Sequence, residues 1–130
     1  MEDAIQAALA ARNRAFAPFS KFQVGAAVVL RDGAIVTGCN VENASYGLTM
    51  CAERVAVFNA VSDGARPGDF SVVVVATDAS VLTPPCGACR QILWEFCGDV
   101  PVVLVNVRGD RREFAMKELL PEAFDVSNLG

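Results

Sequence analysis

Four valines in a row, Val72 to Val75, sit inside the run Phe70–Ala76 and constrain this chain more than any other stretch. An apolar β-branched run with no polar alternation forms a strand buried on both faces, which needs a layer of structure above and below it. Val102–Val107, apolar but for Asn106, reads as a second such strand. Cys86–Cys97 between them reads as a helix terminated by Gly98, so the two strands are expected to be parallel neighbours joined by a right-handed crossover.

Upstream, Ile5, Ala8, Leu9, Arg12 and Phe16 recur at helical spacing and predict an amphipathic helix over 3–16, ended by Pro18. Val24–Leu30 and Ala34–Gly38 are short β-prone runs joined by Arg31-Asp32-Gly33, and the Asp-Gly pair makes them an antiparallel hairpin. The pattern then lapses into a polar loop over 39–50 that contains one aromatic residue, Tyr46. Cys51–Ser62 is again helical, and Met116–Leu120 predicts a short helix before an apolar tail through Phe124. With no repeat or linker, one domain over 1–130 is expected, of α/β class. Its architecture is an α/β/α sandwich whose mixed central sheet starts with the N-terminal hairpin and ends in parallel strands.

Hydrophobic residues make up 53% of the 130 and charged ones 20%, which excludes a disordered chain and leaves apolar surface for burial between subunits. The net charge of −4 and the lack of any Lys/Arg-rich run exclude a grip on a phosphate backbone, so no nucleic-acid polymer is expected as partner. The acidic start Met1-Glu2-Asp3 and the absence of an apolar run near ~18 residues argue for a cytoplasmic protein with no membrane partner. Histidine is absent and cysteine occurs five times. Any metal must therefore be held by thiolates and carboxylates, and every mechanism built on a histidine base is excluded.

Cys86 and Cys89 in Pro85-Cys86-Gly87-Ala88-Cys89-Arg90 lie three apart at a helix start, where free N–H groups and the helix dipole favour thiolates. Two thiols leave a tetrahedral site incomplete. Cys51, at the start of another helix, is the candidate third ligand, which leaves a fourth position for water. Three thiolates around a divalent cation carry a net negative charge that would blunt its Lewis acidity, so Arg54 or Arg90, or both, are candidates to donate to the sulfurs. Glu53, two residues past Cys51, is the candidate proton carrier. Taken alone, the Cys-x-x-Cys pair could equally be a structural or redox motif, and a glutamate in a first helical turn a mere dipole partner.

Together with Cys51-Ala52-Glu53-Arg54, however, the segment Pro85-Cys86-Gly87-Ala88-Cys89-Arg90-Gln91 resembles the two zinc motifs of the small, homotetrameric, zinc-dependent cytidine deaminases, in their three-cysteine form. Further segments are similar to that family: 17–26 (Ala-Pro-Phe-Ser-Lys-Phe-Gln-Val-Gly-Ala), 38–46 and 118–124. The resemblance runs from about Ala7 to Phe124. It implies one Zn2+ per subunit on Cys51, Cys86 and Cys89, with Glu53 as proton shuttle. It implies that the backbone N–H groups of Ala52 and Cys86 border the pyrimidine, that Asn40 and Glu42 read the ribose, and that Phe22 lines the base pocket. Tyr46 and Phe124 resemble residues that reach across subunit interfaces to complete sites in a tetramer. Alone, Phe22 and Phe124 would read as core residues and Asn40 as a turn residue.

The activity implied is hydrolytic deamination of cytidine and deoxycytidine to the uridines with release of ammonia, a step of pyrimidine salvage. Pro84 departs from the small polar residue common before Pro-Cys in the family. Cys39 and Cys97 lie outside the zinc pattern and are expected as buried small hydrophobes. Three rivals stand beside this reading. One is a relative acting on another cytosine nucleoside such as blasticidin S. The second is a nucleic-acid-editing deaminase, disfavoured by the acidic chain. The third is a non-catalytic zinc module closed by Cys39 or Cys97 as a fourth ligand.

Overall fold

The valine run forms the middle of the sheet. In the computed structural model, which describes residues 1–129, β3 (Phe70–Thr77) is central in a five-stranded sheet of order β2-β1-β3-β4-β5. β1 (Gly25–Leu30) and β2 (Ile35–Cys39) make the expected antiparallel hairpin, and β1 also pairs antiparallel with β3. β4 (Pro101–Asn106) runs parallel to β3, with α3 (Gly87–Cys97) as the crossover between them.

Period-two alternation in β3 builds two cores from one run of valines. Val73 and Val75 join Val28, Val102 and Leu104 on the face covered by α2 (Ala52–Ser62) and α3. Val74 and Ala76 join Ala27 and Val103 beneath α1 (Glu2–Arg12). Burying a valine side chain fully is worth about 1.5–3 kcal/mol relative to exposure, so this run is a large share of what holds both layers to the sheet.

Small residues set how closely the helices approach. A Cβ on Gly25 would lie 2.0 Å from the carbonyl oxygen of Ala8, and one on Gly38 would lie 2.4 Å from the backbone nitrogen of Ala56. Both glycines therefore admit helix backbone directly onto the hairpin, and Gly38 fixes the depth of α2 over β2.

Three expectations change. The opening helix ends at Arg12, because Phe16 leaves the helix to bridge Val41: its N–H donates to the Asn40 carbonyl at 2.9 Å and its carbonyl accepts from Glu42 at 2.8 Å. A fifth strand, β5 (Arg111–Ala115), pairs antiparallel with β4 where no element was expected. Cys97 is buried as expected, but Cys39 at the end of β2 is only half-buried. The short helix near the C-terminus is present as α4 (Met116–Leu119).

Candidate metal centre and adjoining pocket

Two helix starts meet at one end of the sheet. Cys51 is the N-cap of α2, and Cys86 is the N-cap of α3, with Cys89 in the first turn of α3. Their three sulfurs lie within 4.8 Å of one another, and Cys51 Sγ to Cys86 Sγ is 3.9 Å. Sulfurs each ~2.3 Å from a tetrahedral zinc stand ~3.8 Å apart, so the cluster has the spacing of a zinc site. Cys97 lies eight residues further along α3, which at ~1.5 Å per residue is ~12 Å from Cys89.

Charge around the cluster supports the same fit. Arg54 Nη2 donates to Cys51 Sγ at 3.3 Å, and Arg54 Nε is buried with no hydrogen-bond partner among the described residues. A buried N–H of this kind is costly unless an acceptor arrives. Proton sharing with Cys89, followed by Arg54, pulls the Cys51 thiol well below its ordinary range, while the same sharing and burial push Cys89 up. Arg90 faces elsewhere. Its Nε donates to the Pro85 carbonyl at 2.7 Å and its Nη1 to the Leu119 carbonyl at 2.9 Å, tying the loop before Cys86 to the end of α4.

Glu53 is buried at 5% exposure in the first turn of α2. Burial, with the neighbouring Cys51 charge as a smaller cause, pushes its carboxyl up to about 7. A group poised there can both accept and return a proton near neutral pH.

Beside the thiols opens a cavity of about 280 Å3, lined in part by Phe22, Asn40, Glu42, Tyr46, Ala52 and Glu53. A second hollow, of about 400 Å3 at the far end of the hairpin near Arg31 and Asp63, contains none of these groups. Asn40 Oδ1 accepts from the Val24 N–H at 2.9 Å, and its Nδ2 donates to the Phe22 carbonyl at 2.8 Å. Glu42 Oε1 accepts from the N–H groups of Phe19 at 3.0 Å and Ser20 at 3.1 Å, while Oε2 accepts from the Ser20 hydroxyl. These donors, Ser20 foremost, lower the Glu42 pKa. Ser20 also lines the cavity, and no role was expected for it; no spacing in the sequence points to it, because its contact with Glu42 spans 22 residues.

Tyr46, at 89% exposed, borders the cavity from a single 3₁₀ turn, Tyr46–Leu48. Phe124 is not among the residues lining the cavity of its own chain: it is 60% exposed, and its carbonyl accepts from Gln91 Nε2 at 2.8 Å.

Comparison with known proteins adds to this geometry. Residues 1–105 match the family model described as the cytidine and deoxycytidylate deaminase zinc-binding region. A cytidine deaminase of Halalkalibacterium halodurans is 48% identical over 126 residues, covering 96% of this chain and 94% of the relative. The crystal structure of cytidine deaminase from Burkholderia pseudomallei superposes with a TM-score of 0.92 at 50% identity, over 95% of this chain and 98% of that one. A blasticidin-S deaminase of Bacillus cereus is more distant, 31% identical over 78% of this chain and 76% of its own.

Proposed function

The chain belongs to the cytidine and deoxycytidylate deaminase family and is a zinc-dependent hydrolytic deaminase, and on that premise we propose how its residues divide the deamination of cytidine and deoxycytidine. The observation that carries the reading is the convergence of Cys51, Cys86 and Cys89 beside buried Glu53 at the floor of the cavity. The three cysteines would hold zinc. When bound, zinc supplies the Lewis acidity that brings the pKa of a water into the neutral range.

Glu53 takes one proton from the attacking water and gives it to N3 of the cytosine ring, which makes C4 more electrophilic; once the C4–O bond has formed it takes the remaining proton of that oxygen and gives it to the amino group, so that the C4–N4 bond breaks, ammonia leaves and the C4 carbonyl forms. Ala52, the first residue of α2, offers a backbone N–H that no helical carbonyl claims, and it directs this donor at the base together with the N–H of Cys86. Phe22 packs on the pyrimidine.

Glu42 and Asn40 read the sugar. A carboxylate has about four lone-pair sites, and three on Glu42 are taken by the Phe19–Ser20 loop, leaving one on Oε2 for a single hydroxyl, the ribose 3′ hydroxyl. Asn40 likewise keeps one donor hydrogen and one acceptor lone pair. A neutral sugar suits these groups better than a phosphate, so a free nucleoside is the substrate.

Phe19, Tyr46, Leu48 and Phe124 are all more than half exposed, which supports a homotetramer in which Tyr46 and Phe124 complete neighbouring sites. Among the described residues no helix is long and apolar enough to cross a membrane, and a nucleoside substrate fits a place in pyrimidine salvage in the cytoplasm. The test is ammonia release from cytidine by the purified protein, measured beside its zinc content and with a chelator. Stoichiometric zinc with no turnover of cytidine would overturn the reading, and preferential turnover of blasticidin S would replace it.

A further inference from the structure

The hydroxyl of Ser20 stands between two walls of the nucleoside cavity. It donates to Glu42 Oε2 and accepts from the Phe22 N–H at 3.0 Å, so one side chain joins the sugar-facing carboxylate to the aromatic residue that lines the base pocket. The backbone N–H of Ser20 adds a second bond to Glu42, at 3.1 Å. Lys21 follows with φ of 61°, the left-handed turn that folds this loop over Glu42.

We propose that Ser20 is the positioning residue for sugar recognition: by occupying one lone pair of Glu42 Oε2 and anchoring the Phe22 backbone, it leaves the carboxylate a single acceptor site in a fixed direction. This rests on the reading of Glu42 as the group that receives the ribose 3′ hydroxyl. Without the Ser20 hydroxyl, Oε2 is free to rotate and to be solvated, and the energy of its bond to substrate is spent on ordering it. The Phe22 N–H loses its acceptor in the same change, but the Phe22 carbonyl keeps its bond from Asn40 Nδ2 at 2.8 Å, so the base wall stays in place. Because Glu53 and the three thiols lie on α2 and α3, not on this loop, the chemical step is left alone.

The experiment compares kcat and KM for cytidine and for 3′-deoxycytidine in the native protein, Ser20→Ala and Ser20→Thr. For cytidine, Ser20→Ala raises KM about tenfold, the scale of one hydrogen bond to a charged group, with kcat within about twofold. For 3′-deoxycytidine, which has no hydroxyl to offer Glu42, KM is the same in Ser20→Ala as in the native protein. Ser20→Thr, which keeps the hydroxyl, restores the native KM for cytidine.

An unchanged cytidine KM in Ser20→Ala overturns the proposal, and so does an equal rise for both substrates, which would mark a general loosening of the loop. If the native protein itself fails to distinguish cytidine from 3′-deoxycytidine, the assignment of Glu42 to the 3′ hydroxyl falls, and the Ser20 proposal falls with it. Native discrimination that survives intact in Ser20→Ala removes the Ser20 proposal alone.

Discussion

Arg54 and Cys51 are one helical turn apart at the start of α2, and the guanidinium Nη2 stands 3.3 Å from the thiol sulfur. Sulfur that accepts a hydrogen bond from a cation donates less charge to a metal, so this contact would keep an all-cysteine zinc site electrophilic, which is the role we propose for Arg54. Arg54→Gln is expected to lower zinc affinity or turnover by about 10–100-fold, the usual cost of losing such a partner. Competition with a chromogenic chelator measures the first and ammonia release the second. If neither moves, Arg54 has no part in tuning the metal.

Glu53 and Cys86 separate proton transfer from metal retention. Glu53→Ala should keep stoichiometric zinc while kcat falls by about 10²–10⁴-fold, the range of general acid–base catalysis. Cys86→Ala removes one of three thiols and should lose the metal altogether. Metal analysis of both variants beside their turnover checks the pair, and substantial activity in Glu53→Ala would end its assignment as the proton carrier.

What could be read from the sequence was local. The valine run, the Asp-Gly hairpin and the helix-start cysteines each announce themselves within a dozen residues, and the sheet centre, crossover and thiol cluster follow from them. β5 was missed because Arg111, Arg112 and Glu113 are exposed on an edge strand, with no apolar alternation to show it. The first helix was drawn too long because Phe16 keeps its helical spacing while its backbone bonds are claimed by Asn40 and Glu42. The engagement of Glu42 with Phe19 and Ser20 spans 22 and 23 residues, and no spacing rule reaches that far. Arg90 looked equivalent to Arg54 beside the cysteines, yet its guanidinium serves backbone carbonyls.

Gly38 couples the sheet to the metal centre through the depth of α2. A Cβ there would meet Ala56 N at 2.4 Å and Ala52 O at 2.7 Å, both backbone atoms that no side-chain rotation can move. Gly38→Ala should therefore destabilise the fold by about 1–3 kcal/mol, the cost of overpacking, as read by denaturant unfolding. Gly47→Ala is the control, since nothing lies within 4 Å of its Cβ position and stability should hold. Equal stability of Gly38→Ala and the native protein would mean that α2 yields without cost.

The five thiols should differ sharply towards alkylation in metal-stripped protein. Cys86 is exposed, whereas Cys97 is buried and burial pushes its thiol up to about 12. At pH 8 a thiol of that kind is thiolate in only about one molecule in ten thousand, and access is closed as well. Mass spectrometry after brief iodoacetamide treatment should find Cys86 modified and Cys97 untouched until denaturant is added. Rapid modification of Cys97 in the folded protein would contradict its burial at the end of α3.

Trp94, the single tryptophan, offers an optical view of the C-terminal segment that carries Phe124. Its indole N–H donates to Asp125 Oδ2 at 3.0 Å, one turn beyond Gln91, which holds the Phe124 carbonyl. The Ser127 hydroxyl first, and then the Trp94 indole, hold the Asp125 carboxyl below its usual range. A carboxylate with a lowered folded pKa contributes stability that is complete above its unfolded value, near ~3.9, and is lost as pH falls through the lowered one. Trp94 emission should therefore stay constant from neutral pH down to about 4 and change only below it, as protonated Asp125 releases the indole. Asp125→Asn should remove this acid transition while far-ultraviolet circular dichroism stays native. A transition that persists in Asp125→Asn would assign it to global acid unfolding instead of to the contact between α3 and the segment after α4.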